Sequence, residues 1–513
     1  MSVNGYVEID TTLHFFDFCG HLSTDSFYLG KMLHNDKVGS IAFHAHVDGK
    51  IDSTSLTFCT AEADIQKIEY LGYVYQNIRF DGTLGEEEIN GNLHINDENI
   101  QLSIKGVANW SELNTRLNLT AQISDFHPNA VHLTNKYPDL VISANTNIQL
   151  FTFGKKSQIL DNLTGHLIID TLHLRNGEKQ ATMNLLKLDI NNELLHDKPH
   201  HQMMLQSDYL TANISGDFQY TTLPNTFKLL LSNYVPSLVQ APKKGNKRPN
   251  NIDFYAYFRN LQTISDVMEW DFSFPSYPTI KGLIHEQDQQ IRLQAHLPAI
   301  QTSGTRIEDL TISLDNADNH LELAMYMYNH LPKENPTASK IGDVKTRMNI
   351  NAWQDTIDFS IHLDNTDSVR NKGTIHLTSI IRRENNQPSF YTHLKPTNII
   401  LNDSAWSIKE STITYHPTSK ILNIQDFLLS TEYQSLAING KASTCTEDSI
   451  KLKLHNIDVQ YLLSYTLAGE SISVQGPLSG WATLYGLFTQ PMVEADVAIP
   501  QAGLNGTYLG DVA

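Results

Sequence analysis

Helical periodicity is almost absent from this 513-residue sequence, and so are most devices by which catalytic domains are recognised. The best helical stretch, Leu229 to Val239, is interrupted by Pro236 and reads as at most a short helix or a sheet-edge segment. No run of about 18 apolar residues occurs, which excludes a membrane-spanning helix, and Met1 to Asp10 reads as a strand rather than a signal peptide. Basic charge is also short. With 37 Lys and Arg against 56 Asp and Glu, the net charge of -19 has the wrong sign for a phosphate backbone, so no nucleic-acid partner is expected. The one dense basic run, Lys243-Lys244-Gly245-Asn246-Lys247-Arg248, lies between Pro242 and Pro249 and reads as a solvated linker. Cys19, Cys59 and Cys445 cannot all pair within one chain, and no zinc or CxxC spacing relates them. Cys19 and Cys59 could bridge neighbouring strands in an oxidising compartment, but independent buried thiols are the favoured reading.

Missing, too, are the phosphate-binding loop, the dinucleotide fingerprint and the nucleophile elbow. His44 and His46 share a strand face with Asp48 beside them, a spacing from which some hydrolase metal sites begin. Such sites usually rest on a strand-helix barrel, and no crossover helices are present to build one, so solvated histidines are expected. His196, His200 and His201 lie in a polar loop beside Pro199, without ordered ligand spacing. Glu86-Glu87-Glu88 crowds an exposed turn, where carboxylates serve solubility rather than paired acid-base work. The sequence is therefore read as non-enzymatic, with no cofactor and no metal expected.

What the sequence has in abundance is period-two alternation. Ile450 to His455 places aliphatic side chains at even positions and Lys or His at odd ones, giving a strand with one apolar and one wet face. Val493 to Val497 repeats the arrangement. Ile41 to Val47 alternates, with Asp48-Gly49 expected to turn the chain. Gly91 to Ile95 and Ile100 to Ile104 flank a hairpin turn at Asn96-Asp97-Glu98-Asn99, and Arg116 to Ile123, Leu167 to Leu174, Ile291 to Leu297, and the pair Arg347 to Ala352 and Thr356 to Leu363 extend the series. Turn signals recur often enough to predict on the order of forty strands. A composition of 40% hydrophobic and 18% charged residues suits thin sheets that bury one face. The expected fold class is all-β, an elongated repetitive antiparallel sheet with very little helix.

Two breaks, at 241–250 and at Leu331 to Pro336, punctuate the pattern. The expected organisation is a β-repeat segment over 1–240, a linker or loop over 241–250, and a second β-repeat segment over 251–513. The strand pattern still runs at Leu509-Gly510-Asp511, as in a piece of a longer protein. Periodicity alone leaves three architectures. One is a sandwich whose apolar faces meet. Another is an outer-membrane barrel, for which aromatic girdles and a steady strand length of about ten residues are lacking. The third is an open trough whose apolar face receives acyl chains.

From Ile399 onward the sequence resembles the TamB family of envelope proteins, in the form found in Bacteroidota. The resemblance is carried by Asn402 and Trp406, by Ile424, Phe427 and Leu429, by Gln434, Ile438 and Gly440, and by Leu454, Asn456 and Ile457. It continues through Gly476, Leu478 and Gly480, Pro491 and Ala495, and Asn505-Gly506 with Leu509-Gly510. Earlier stretches fit as well: Leu29-Gly30-Lys31 before Val38-Gly39, Tyr75 to Ile78 with Asp81-Gly82, and Gly91-Asn92-Leu93. The resemblance implies an AsmA-like repeating β-groove, or β-taco, anchored in the inner membrane and crossing the periplasm. It further implies a link to outer-membrane protein assembly with a barrel partner, TamA, and to phospholipid movement towards the outer membrane. The family's N-terminal membrane helix and the C-terminal domain expected to meet the barrel are not in this sequence, so neither anchoring nor docking is assigned to a residue.

On this reading Phe43, Val47, Leu93, Ile95, Leu117, Leu119, Leu293, Leu297, Phe359, Ile361, Leu452 and Leu454 line a trough that shelters phospholipid acyl chains. Two rivals stand beside it: a structural or adhesive β-repeat protein with a closed, dry core, and a periplasmic scaffold that receives unfolded barrel strands by edge pairing.

Overall fold

A computed structural model describes residues 2–10, 15–52, 56–111, 114–154, 159–195, 198–302, 306–316, 319–330, 343–365, 369–458 and 474–512. His196 and the break read at Leu331 to Pro336 lie outside these residues. Strands occupy 70% of the described residues and helix 6%, and the registers are antiparallel, so the all-β expectation holds. The described residues form 33 strands, fewer than the turn signals predict, because several run to 15 residues or more. Asp48-Gly49 shows why. It lies inside the strand Val38–Asp52, where Gly49 pairs with Phe18 on one side and Cys59 on the other. The Phe18 ring covers Gly49 so closely that a Cβ there would lie 2.6 Å from Cζ. The glycine makes room for a neighbour's ring within the sheet and does not turn the chain.

The chain divides into two compact units. The first comprises Met1–Thr221 and Ile252–Ser273. Its thirteen strands from Ser2–Asp10 to Leu210–Asp217 pair each with the next, as an uninterrupted antiparallel meander. Residues 127–139 make one long connection, and most other hairpin loops are short. The one between Glu88–Asp97 and Ile100–Trp110 is held by buried Asp97, which accepts bonds from the amides of Gln76 and Asn99, both at 2.9 Å, and from the Tyr73 hydroxyl. The short helix Gln262–Val267 packs on the strands Thr164–Asn176 and Lys179–Leu195, and buried Asn176 donates to the Val267 carbonyl at 2.9 Å.

The second unit comprises Thr222–Asn251 and Phe274–Ala513. A meander runs from Thr279–His285 to Gln387–Leu394. Beyond the long strand Lys372–Glu384 the sheet is two short strands wide at each end: Gln387–Leu394 with Ser411–His416 at one, Thr397–Leu401 with Ser404–Ile408 at the other. Both pairs hand over to Ile421–Ser430, from which the meander continues through Ser435–Ala442, Ser449–Asp458 and Pro477–Tyr485 to Met492–Leu504.

The predicted short helix is Leu223–Ser232, six residues earlier than the apolar run suggests. Pro224 sits in its first turn, where no intrahelical N–H is needed. The inward stripe includes buried Thr226 and Leu230, and Pro236 falls beyond the helix end. After the helix, Tyr234 and Val235 pack on Ala352 and Ile381 at one end of the sheet's apolar face. Ser237 is clamped by Asp355, its N–H at 2.6 Å and its hydroxyl at 2.9 Å from the carboxylate.

Candidate functional site: an apolar sheet face

Directly opposed residues of neighbouring strands share a face, so the registers define rows that cross the sheet. In the first unit one row runs Gly5, Gly20, Val47, Ala61, Gly82, Gly91, Gly106, Leu119, Ile148, Leu167, Leu188, Leu205, Ala212. All thirteen positions are apolar. The next row on the same face holds Ala63, Phe80, Leu93, Ile104 and Ala121. The one beyond it holds Phe43, Ile65, Ile78, Ile95, Leu102 and Ile123. On the other side of the glycine row lie Cys59, Leu84, Ile89, Ala108, Leu117 and Leu150. The six positions expected to line a trough in this unit, Phe43, Val47, Leu93, Ile95, Leu117 and Leu119, thus fall in four adjacent rows of one face. All six are half-buried, neither sealed in a core nor fully in water.

The opposite face is polar: one of its rows reads Asn4, His21, His46, Glu62, Asp81, Asn92, Lys105, Thr120. His44 and His46 lie on this face, and His46 is in ring contact with His21 at 4.6 Å. No group of three or more metal-ligating side chains occurs among the described residues. Cys19 and Cys59 are separated by the strand Val38–Asp52 and are free thiols, as is Cys445. Burial pushes the Cys59 thiol up, away from reactive thiolate.

The glycine row gives this face its relief. A Cβ added at Gly5, Gly20, Gly82, Gly91 or Gly106 would come within 3 Å of backbone atoms in a neighbouring strand. That crowding is what the inner side of a sheet bent along the row produces, and glycine is the residue that tolerates it. Over its first seven strands the row carries Val47 as its one large side chain, with larger ones in the rows on either side, and from Leu119 onward the row itself is aliphatic.

In the second unit Leu293 and Phe359 share one row, Gly282, Leu293, Leu314, Leu323, Ile350, Phe359, Leu377, Leu394. Ile361 belongs to the adjacent row with Ala295, Ile312, Met325, Met348 and Ile375. Leu297 lies opposite Leu310, two residues along its strand from Ala295 and on the same face. Leu452 and Leu454 lie on this face as well, opposite Ile438 and Leu436. Eleven of the twelve expected positions are half-buried, and Leu454 is the exception at 8% exposure. It joins a closed cluster with Leu394, Ile399, Trp406, Ile408 and Ile457. Trp406 and Ile457 are three strands apart, roughly 14 Å in a flat sheet, so the sheet curves inward here until the cluster excludes water.

Comparison with family models, with curated proteins and with solved structures finds no match for this chain. The reading of the site therefore rests on its geometry. No helix among the described residues is long and apolar enough to cross a membrane. Concave surface also occurs on the polar side. A cavity of about 860 Å³ in the first unit is lined by Glu86, Glu87, Glu88, Asn109, Arg116 and Phe151, placing the acidic run beside a depression rather than on an isolated turn. Sequence reasoning missed Trp406 and the glycine floor as parts of the apolar face. Alternation points to single strands, whereas rows emerge only once register is known.

Proposed function

We propose that this is a non-enzymatic cell-envelope protein of the TamB type, whose apolar sheet face shelters lipid acyl chains across the periplasm. The observation that supports it is the apolar face of the first unit: four adjacent rows whose large side chains, all but Ile78, stay partly accessible beside a glycine-rich stretch. A sandwich core would seal such residues from water. The physical need is large, since exposing the roughly thirty methylenes of a diacyl lipid costs on the order of 25 kcal/mol at about 0.8 kcal/mol each. A continuous apolar surface removes that cost at every step without holding any lipid tightly. On this reading the protein is periplasmic, inner-membrane anchored at full length, and linked with a TamA-like barrel to phospholipid transport and outer-membrane protein assembly.

The test is a photoreactive amino acid placed at Leu93, Leu119 or Phe359, with Asn92 and Lys105 on the polar face as controls. Lipid adducts at the first three and none at the controls are expected. Equal labelling of both faces, or none, removes the proposal. A second reading, the β-repeat with a dry core, is favoured locally by the cluster around Trp406 and Leu454. It requires that the label find only protein at all five positions.

A further inference from the structure

The acidic excess of the chain has one conspicuous interruption. Between Asp217 and Asp253 there is no acidic residue, and Lys228, Lys243, Lys244, Lys247 and Arg248 all fall there. All five are exposed, and none forms an ion pair among the described residues. Two apolar side chains of the same segment are exposed as well, Phe227 next to Lys228 in the helix and Leu238 beyond its end.

This segment is not a loose tether. Glu286, almost fully buried, accepts bonds from Thr226 Oγ1 at 2.6 Å, Asn246 Nδ2 at 2.9 Å and the Asn250 amide at 3.1 Å. Asn250 in turn donates to Thr226 Oγ1 at 2.6 Å and returns its carbonyl to the Glu286 amide at 2.8 Å. The basic run is thereby fixed against the helix Leu223–Ser232, one turn of which carries Phe227 and Lys228. At the far end Arg383 donates to the Ser237 carbonyl at 3.0 Å. The expectation of a solvated linker omits this anchoring.

We propose that this segment docks on an anionic lipid bilayer surface. Unpaired cations in the same anchored segment as exposed Phe227 and Leu238 match a headgroup layer, which offers negative charge outside and acyl boundary just beneath. A nucleic acid offers no such apolar layer to an aliphatic side chain such as Leu238, and an acidic protein is separated from a bilayer by the test below. The proposal stands on the charge distribution and its anchoring, and not on the groove. It would place the second unit against a membrane whether or not its sheet carries lipid.

The experiment is co-sedimentation of the 513-residue chain with vesicles of phosphatidylcholine alone or with 30% phosphatidylglycerol, at about 0.1 M and 0.5 M salt. Binding only to the anionic vesicles, weakened at the higher salt, is expected. Each Lys or Arg near such a surface changes partition about fivefold. Replacing Lys243, Lys244 and Lys247 by Glu should therefore weaken binding by more than about tenfold, and Phe227→Ser should weaken it without changing its salt dependence. The control K451E/K453E, on the polar sheet face, should bind as the unaltered chain does. Three results would overturn the proposal: equal binding to neutral vesicles, undiminished binding of the triple variant, or displacement by soluble polyglutamate with no vesicle binding, which would mark an acidic protein as the partner. Lipid labelling at Leu93 with no vesicle docking would sink this inference and leave the groove reading standing.

Discussion

Gly82 and Gly91 face each other across adjacent strands with no room for a side chain on either: a Cβ on Gly82 would lie 2.7 Å from the Gly91 Cα, and one on Gly91 2.6 Å from the Asp81 carbonyl oxygen. The Phe80 ring lies over both. Gly91→Val should therefore force the two strands apart and cost about 1–3 kcal/mol, with larger losses if the register slips. Gly245→Ala, where a Cβ meets nothing within 4 Å, is the neutral comparison. Chemical denaturation of the two variants checks the difference, and equal midpoints would remove the bend argued for this row.

A buried aliphatic of the second unit's apolar face and a half-buried one of the first unit's should differ in what they contribute. Leu454→Ala opens a void in a closed cluster and should cost about 2–5 kcal/mol. Leu119→Ala, on a surface water already reaches, should cost only about 1 kcal/mol. If an apolar fluorophore binds the chain, the second substitution and not the first should weaken it. Similar losses of stability at both positions would argue that the first unit's apolar face is a dry core as well.

The strand identity of Ile450 to His455 and of Leu93 with Ile95 was legible because side-chain direction alternates along one strand and needs no partner. The glycine floor was not. Gly82, Gly91 and Gly106 are unevenly spaced in sequence and meet only through the lengths of two intervening hairpins. Turn chemistry misled at Asp48-Gly49, where the packing of Phe18 outweighs local preference. The helix Leu223–Ser232 was hidden because its inward stripe contains Thr226, a polar residue that burial tolerates through its bonds with Glu286, Asn246 and Asn250.

Three donors converge on one oxygen of Glu286, so the expected consequence of Glu286→Leu follows from hydrogen-bond inventory alone. An aliphatic side chain can accept nothing from Thr226, Asn246 or the Asn250 amide. The change should cost about 1–3 kcal/mol. Its signature should be local, as faster hydrogen exchange of amides 243–250 with the sheet amides unchanged. A uniform increase across the second unit would show instead that the network supports the whole unit.

Several hairpins close through two residues in the left-handed region, as at Gln354-Asp355 and Asn385-Asn386, which fits the twist of the flanking strands. Gln354 is exposed and is the one of these four whose side chain gains nothing from that conformation. Gln354→Gly should stabilise the second unit by about 0.5–1 kcal/mol. A fall in midpoint would show that the glutamine makes a contact worth more than the relieved strain.

His330 lies between two carboxylates, Nε2 at 2.9 Å from Glu308 and Nδ1 at 2.9 Å from Asp343, while Arg306 holds the other oxygen of Glu308 at 2.7 Å. Desolvation alone would lower the His330 pKa, but the bonds to Glu308 and Asp343 outweigh it and raise the value above the ordinary 6.5. The bond from His330, with that from Arg306, holds Glu308 below its ordinary 4.5 despite an opposing desolvation effect. The histidine's contribution is complete below 6.5 and is lost as pH rises through its folded pKa; that of the carboxylate is complete above 4.5 and is lost as pH falls through its folded pKa. Both are present only between these limits, so the stability difference between the unaltered chain and His330→Asn should be greatest there. Urea midpoints at pH 5.5 and pH 8.5 measure it. A difference that grows towards the alkaline side would mean that His330 is held neutral and that packing against Tyr328, at 4.3 Å between ring centroids, is its main role.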